Sequence, residues 1–133
     1  MSAPWPERAV CRFDEVAEPG AREFVCGEGD WPFHGLVVRR AGAVYAYANV
    51  CPHKGHPLNL AEHDFLMTVP DGGVLLRCAS HGALFVPENG LCVFGPCSGR
   101  SLRQLECRVA DGMVLVRAPE AHQAEGPGSR PAP

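Results

Sequence analysis

Two short ligand motifs constrain this chain more than any other feature. Cys51 and His53 form a C-x-H motif, and Cys78 and His81 form a C-x-x-H motif. Two thiolates with two imidazoles suit either a zinc ion or a cluster of two irons and two sulfides. A cluster with both Cys on one iron and both His on the other needs two facing loops, each supplying one Cys and one His. Gly82, directly after the second motif, would let the backbone approach inorganic sulfides closely.

The residues alone leave two other interpretations open. A single Cys is more often a small core residue, and a single His more often a surface residue, than a metal ligand. A structural zinc site would use the same four side chains. Zinc ribbons prefer C-x-x-C motifs, however, and the turn-forming Gly55 and Pro57 in the first motif are typical of a rigid loop that zinc does not require.

Residues 51–58 (CPHKGHPL) and 78–85 (CASHGALF) resemble the two cluster-binding loops of the Rieske [2Fe-2S] family. Gly90, Pro96 and Leu102, with their neighbours, resemble that family's third loop and the strand leaving it, so the resemblance covers about residues 37–116. It implies an all-β fold, a Rieske-type antiparallel β-sandwich. A small cluster-binding subdomain would consist of two ligand loops and a covering Gly/Pro loop.

The resemblance also implies the cofactor and its ligands. One [2Fe-2S] cluster per chain would be bound by Cys51, His53, Cys78 and His81. Cys51 and Cys78 would hold the buried iron, while His53 and His81 would hold the outer iron, which is the one reduced. Because neutral imidazoles would replace two anionic thiolates, the reduction potential would exceed that of all-Cys clusters.

Several positions depart from the high-potential members of that family. His56 and Ser80 stand where those members carry a pair of disulfide-bonded Cys, and Ala83 and Phe85 stand where they carry hydroxyls that bond to sulfur. Fewer hydrogen bonds to sulfur predict a potential at the low end of the Rieske range of about −150 to +300 mV. The 24 residues from 54 to 77 also form a longer connection than usual, with the excess expected as loop and turn in residues 61–73.

Length and composition favour one small β-rich domain. The chain has 133 residues with 15 Gly and 13 Pro, and we expect one domain over residues 1–117 with a disordered tail over 118–133. A net charge of −3 indicates neither nucleic acid nor a membrane as partner. The 7 Cys, without a leader or an apolar span, indicate a reducing cytoplasm.

Five Cys lie outside the ligand motifs. We expect most to be buried core residues, and Cys107, in an alternating stretch, fits that role best. Cys92 and Cys97 could form a disulfide or lie near the cluster.

Alternation and turn residues predict strands but no helix of useful length. Ala41-Gly42 and Asp111-Gly112 predict two tight hairpins. The predicted strands cover residues 8–13, 23–26, 35–40, 43–49, 74–78, 83–86, 91–94, 102–110 and 113–117. Trp31-Pro32-Phe33 is expected to form a hydrophobic plug under the loop of residues 27–34, with partner docking as the alternative.

The sequence thus predicts an electron-transfer protein rather than an enzyme, since residues 118–133 are too short for a second, mononuclear iron domain. Family resemblance implies a ferredoxin-type carrier with a flavin-dependent reductase as donor and an oxygenase or reductase as acceptor. The alternatives are a small non-catalytic subunit of a nitrite reductase-like complex and a zinc-binding structural module. His56 and the segment 61–73 have no assigned role, and His34, His63 and His122 are expected as surface residues.

Overall fold

A computed structural model describes residues 5–27, 32–52, 57–59, 62–70, 73–79 and 82–119. This part of the chain contains eleven strands and one 3-10 turn, Phe13–Glu15. The strands are β1 Glu7–Arg12, β2 Gly20–Cys26, β3 Phe33–Arg40, β4 Ala43–Ala48, β5 Leu66–Thr68, β6 Val74–Arg77, β7 Leu84–Phe85, β8 Cys92–Phe94, β9 Gln104–Leu105, β10 Cys107–Ala110 and β11 Met113–Arg117. No helix among these residues is long and apolar enough to span a bilayer.

The strands form three antiparallel sheets, which confirms the predicted all-β class. Their orders are β1-β11-β10, β2-β3-β4-β9 and β5-β6-β7-β8. Both predicted tight hairpins are present, joining β3 to β4 and β10 to β11. Ala41 and Gly42 have φ of 53° and 82°, and Asp111 and Gly112 have φ of 54° and 77°. Two consecutive left-handed residues are what a two-residue hairpin turn requires, because they match the twist of the flanking strands.

The second sheet is buried on both faces, as its strand β3 shows. Leu36, Val37 and Val38 are all 0% exposed. Leu36 and Val38 belong to a core that also contains Cys51 and Cys78, whereas Val37 belongs to a second core shared with β11. Because successive side chains of a strand point to opposite faces, one strand supplies both cores. The same burial explains why this stretch reads as a continuous apolar run rather than an alternation.

Two predicted strands differ most from the structure. β2 begins at Gly20 rather than Glu23, and it pairs along the whole of β3, from Gly20 opposite Arg39 to Cys26 opposite Phe33. The predicted strand over residues 102–110 is divided into β9 and β10, which belong to different sheets. Side-chain alternation does not reveal where a chain passes from one sheet to another, because both strands keep the same period.

The segment 61–73 contains a strand where only loop and turn were predicted. β5 pairs with β6 through Leu66 opposite Leu76 and Thr68 opposite Val74. The backbone N–H of Val69 donates to the carbonyl of Gly73 at 2.9 Å and closes the connection. The extra length therefore adds an edge strand to the sheet that contains the second ligand motif.

The folded region continues past the predicted boundary at residue 117. Ala118 is 0% exposed and Pro119 is fully buried. The backbone N–H of Ala118 donates to the carbonyl of Pro6, which links the two ends of the domain. Residues 120–133, where the tail was expected, lie outside the described residues, as does Trp31.

Candidate metal centre

Two buried thiols mark the candidate centre. Cys51 follows β4 by three residues, and Cys78 directly follows β6. Both are 0% exposed, belong to the same core and are free of disulfide bonds. His53 and His81, the other two predicted ligands, lie outside the described residues. The structure therefore brings the two Cys into one buried core.

Asn49 holds the first ligand loop at its base. Its side chain is 4% exposed, and its Oδ1 accepts a hydrogen bond from the backbone N–H of Leu58 at 2.8 Å. Its Nδ2 donates to Asn59 Oδ1 at 2.9 Å, and Asn59 in turn donates to the Glu23 carboxylate on β2. The two ends of the loop are thus hydrogen-bonded to each other and to strand β2 of the second sheet. Sequence reasoning missed this residue, although a polar side chain two positions before a ligand Cys was a usable signal.

Backbone hydrogen bonds shape the second ligand loop and join it to the first. The N–H of Cys78 donates to the carbonyl of Ala83, and the N–H of Gly82 donates to the carbonyl of Cys78, each at 2.8 Å. Gly82 has φ of 74°, a conformation that side chains disfavour. The N–H of Ala79 donates to the carbonyl of Leu58 at 2.7 Å. The two ligand loops therefore form one hydrogen-bonded unit.

A third loop, residues 95–100, lies against both ligand loops. Arg100 Nη1 donates to the carbonyl of Pro52 in the first loop at 3.1 Å. Gly95 has φ of 105°, and a Cβ placed on it would lie 2.9 Å from the Cα of Ala83 in the second loop. The predicted covering Gly/Pro loop is confirmed, and glycine is required at its start for both conformation and space.

Cys97 in the third loop lies beside Cys92. It is 1% exposed, and its Sγ is 3.1 Å from Cys92 Sγ. Burial, followed by the hydrogen bond with Cys92, raises the pKa of the Cys97 thiol to about 12. Cys92 and Cys97 form no disulfide, and both belong to the core that contains Cys51 and Cys78.

Only some of the other positions singled out in the sequence are among the described residues. Ala83 and Phe85, which stand where high-potential family members carry hydroxyls, are both 0% exposed. His56 and Ser80 lie outside the described residues.

Cys107 was expected to be the best buried of the extra Cys, yet it is only partly buried, whereas the other four are buried. Its strand β10 lies at the edge of its sheet, where neighbours cover one side less completely.

The described residues fit an iron–sulfur cluster. Among them, no group of three or more His, Cys, Asp or Glu is arranged to hold a metal ion. That is the expected result when only Cys51 and Cys78 of a four-ligand set are described. Two buried thiols on loops tied to one another form a water-poor cradle, which suits the soft sulfur ligands of such a cluster.

Several solved structures share this fold. The ferredoxin of carbazole 1,9a-dioxygenase from Nocardioides aromaticivorans IC177 is 21% identical over 84% of this chain and 96% of its own, with a TM-score of 0.62. The Sphingomonas yanoikuyae B1 ferredoxin is 19% identical over 86% of this chain and 100% of its own, with a TM-score of 0.63. The terminal oxygenase of carbazole 1,9a-dioxygenase from Novosphingobium sp. KA1 is 23% identical, over 92% of this chain but 33% of its own, with a TM-score of 0.62.

Among curated proteins, none matches the chain. A family model does: the Rieske [2Fe-2S] domain matches residues 7–114, which include both ligand motifs and the third loop. The match covers most of the chain and agrees with the fold and the buried thiols. The chain therefore belongs to the Rieske [2Fe-2S] domain family and binds a [2Fe-2S] cluster.

Proposed function

We propose that this protein is a one-electron carrier that takes an electron from a flavin-dependent reductase and passes it to a terminal oxygenase. The observation that carries the proposal is the burial of Cys51 and Cys78 where three loops of a Rieske fold meet, with the second and the third loop each hydrogen-bonded to the first. A centre enclosed in this way is rigid. Rigidity favours rapid electron transfer, because the ligands need not rearrange when the charge changes.

Four residues are proposed as cluster ligands. Cys51 and Cys78 would supply thiolates to the cluster, and His53 and His81 would supply imidazoles. The cluster, when bound, accepts and releases one electron. The protein's own part is to hold the thiolates away from water, to keep the loops in register through Asn49, and to cover the centre with the third loop.

The oxygenase as acceptor is supported by the structures that share the fold. One of them is a complex of reduced oxygenase and oxidized ferredoxin in carbazole 1,9a-dioxygenase; the matched chain is 23% identical, with 88% of this chain and 97% of that chain covered. Near-complete coverage of both chains is expected when a small carrier is matched to a small carrier. The flavin-dependent reductase is proposed as donor from the resemblance of the ligand loops.

The proposed docking surface for the oxygenase is the apolar end of β8. Val93 is 49% exposed and Phe94 is 62% exposed, and they directly precede Gly95 of the third loop. Exposed neighbouring apolar side chains on an edge strand are unusual without a partner. Contact there would place an acceptor beside the loop that covers the centre, which shortens the path for the electron.

The test is an EPR and optical spectrum of the purified protein before and after dithionite, with iron and zinc analysis. We expect about two irons per chain and a reduced-state signal typical of mixed Cys and His ligation. Cys51→Ser, His53→Ala, Cys78→Ser and His81→Ala should each lose that signal. Cys11→Ser and His34→Ala are matched controls, one in the other core and one exposed on β3, and should keep it.

Two results would overturn the proposal. About one zinc per chain with no colour, also after anaerobic preparation, would make the four residues a structural zinc site. A signal that survives all four ligand substitutions would show that other residues hold the cluster. Electron transfer itself is checked by mixing the reduced protein with an oxidised terminal oxygenase and following bleaching or recovery of its spectrum.

A further inference from the structure

Arg100, the last residue of the third loop, is held by hydrogen bonds at both its backbone and its side chain. Its N–H donates to the carbonyl of Cys97 at 2.9 Å, and its carbonyl accepts from the N–H of Cys92 at 2.8 Å. Its Nη1 donates to the carbonyl of Pro52 at 3.1 Å. These bonds hold the guanidinium group at one place against the first ligand loop.

That place adjoins a proposed cluster ligand. Pro52 stands between Cys51 and His53 in the C-x-H motif. Consecutive Cα atoms are about 3.8 Å apart, so the guanidinium group contacts the backbone one residue away from Cys51. Cys51 is 0% exposed, whereas Arg100 is exposed. The positive charge therefore lies at the solvent side of the loop that holds the buried thiol.

No described carboxylate neutralises the charge of Arg100. Other arginines in the described part of the chain form ion pairs with carboxylates, namely Arg12, Arg39, Arg40, Arg77, Arg108 and Arg117. Within the same residues, Arg100 forms no such pair and its side chain binds a backbone carbonyl instead. An arginine side chain keeps its charge across the pH range in which proteins are folded. The first ligand loop thus faces a permanent positive charge.

We propose that Arg100 raises the reduction potential of the cluster through the charge that it holds against the first ligand loop. This inference rests on the proposed role of Cys51 as a ligand. Reduction adds one negative charge to the cluster, and a nearby positive charge stabilises the reduced form more than the oxidised form. The effect of Arg100 is opposite to that of Ala83 and Phe85, which provide no hydroxyl donors to sulfur.

Solvent limits the size of this effect, because water and salt weaken the field of an exposed charge. For two unit charges about 10 Å apart at an effective dielectric constant of about 40–80, Coulomb's law gives about a two- to fourfold change in an equilibrium constant. A tenfold change corresponds to about 59 mV for a one-electron couple, so the expected change in potential is about 18–36 mV.

The test measures the midpoint potential of three Arg100 variants beside the unsubstituted protein at low salt. Arg100→Gln removes the charge but keeps an amide donor, and Arg100→Met removes both. Each should lower the potential by about 18–36 mV, the two- to fourfold change given by Coulomb's law. Arg100→Lys keeps the charge and should stay closer to the unsubstituted protein. A merely structural role would move the Lys variant together with the other two.

A matched control and a salt series separate charge from structure. Arg108→Gln changes the net charge by the same amount, but Arg108 pairs with Glu7 in the first sheet, so the potential should change much less than in Arg100→Gln. The Debye length falls from about 30 Å at 0.01 M salt to about 3 Å at 1 M. The difference in potential between Arg100→Gln and the unsubstituted protein should shrink over that range.

An unchanged potential in Arg100→Gln, with full iron content and a normal EPR signal, would overturn this inference and leave the proposed function intact. A lowered potential in Arg100→Met alone would assign the effect to the hydrogen bond with Pro52 and would also overturn it. So would a difference in potential that does not respond to salt. Retention of an unaltered cluster in Cys51→Ser would instead overturn the ligand assignment on which the inference rests.

Discussion

Asn49 Oδ1 accepts a hydrogen bond from the backbone N–H of Leu58 at 2.8 Å, across the base of the first ligand loop. The bond joins Asn49, two positions before Cys51, to Leu58, a buried residue at the other end of the loop. Leu58 is 0% exposed, so water does not offer its N–H a substitute partner. A single side chain therefore sets how far apart the two ends of the loop lie.

Asn49→Ala is expected to destabilise the protein and to weaken retention of the cluster. Leaving the buried Leu58 N–H without a partner should cost about 1–3 kcal/mol. Asn89→Ala is the matched control, because Asn89 Oδ1 accepts from the Leu91 N–H at 2.9 Å in an exposed turn that water can reach. Urea unfolding and the rate of iron loss to a chelator measure the two effects. Equal effects of the two substitutions would contradict the assigned role of Asn49.

Gly95→Ala should loosen the third loop. Its new Cβ would lie 2.9 Å from the Cα of Ala83, and forcing such a contact costs about 1–3 kcal/mol in addition to the strain of a positive φ. Gly99→Ala carries the same kind of strain, with φ of 90°, but meets nothing within 4 Å. Thermal unfolding of both variants isolates the cost of the contact as the difference between them. If Gly99→Ala is as destabilising, the close approach of the two loops is unimportant.

Glu18 should make stability depend on acid pH. Its carboxylate accepts from the backbone N–H groups of Ala41 at 2.6 Å and Gly42 at 3.0 Å, and the bond from Gly42 is the largest cause of a lowered pKa. Because the folded-state pKa lies below the ordinary 4.5, the contribution is present above that pH and is lost as the pH falls through the folded value.

The check compares Glu18→Gln with the unsubstituted protein by urea unfolding across that range. The stability difference between them should be largest near neutral pH and should shrink in acid, where the native carboxyl is also uncharged. A difference that stays constant from neutral to acid pH would show that the ionised carboxylate does not hold the β3–β4 turn.

Phe94→Ser should slow electron transfer to a terminal oxygenase without changing the cluster. The substitution removes the most exposed apolar side chain of the proposed docking surface. Val25→Ser is the matched control, because Val25 is 52% exposed on β2, outside the sheet that contains β8. Stopped-flow rates at several oxygenase concentrations should show weaker association for Phe94→Ser alone. Equal rates for both variants would place the docking surface elsewhere.

Features that depend on residues adjacent in the sequence could be predicted from it. The hairpin turns at Ala41-Gly42 and Asp111-Gly112 depend on local φ preferences, and the family resemblance depends on short motifs. The all-β class follows from the same local signals, namely alternation and frequent turns. These predictions were confirmed because the information they use does not depend on distant parts of the chain.

Features that depend on contacts between distant residues could not be predicted. His63 was expected as a surface residue, yet its Nδ1 accepts from the backbone N–H of Glu23 at 3.1 Å, 40 positions away. The bond from Arg100 to Pro52 likewise joins the third loop to the first across the four strands β5 to β8. The short strand β5 pairs with β6, and its three residues carry too little periodicity to be recognised alone.

Because β3 contributes side chains to both cores, the cluster-binding part of the chain cannot be separated from the rest without exposing apolar residues. Leu36 and Val38 cover the cluster side while Val37 covers the other, and Tyr47 on β4 reaches across to donate to the carbonyl of Pro87 at 2.6 Å. A fragment containing only the three loops and the sheet β5-β6-β7-β8 would lack Leu36 and Val38, which belong to the same core as Cys51 and Cys78. A minimal cluster-binding peptide taken from this chain would therefore have to keep β3 and β4, and with them an uncovered second face that promotes aggregation.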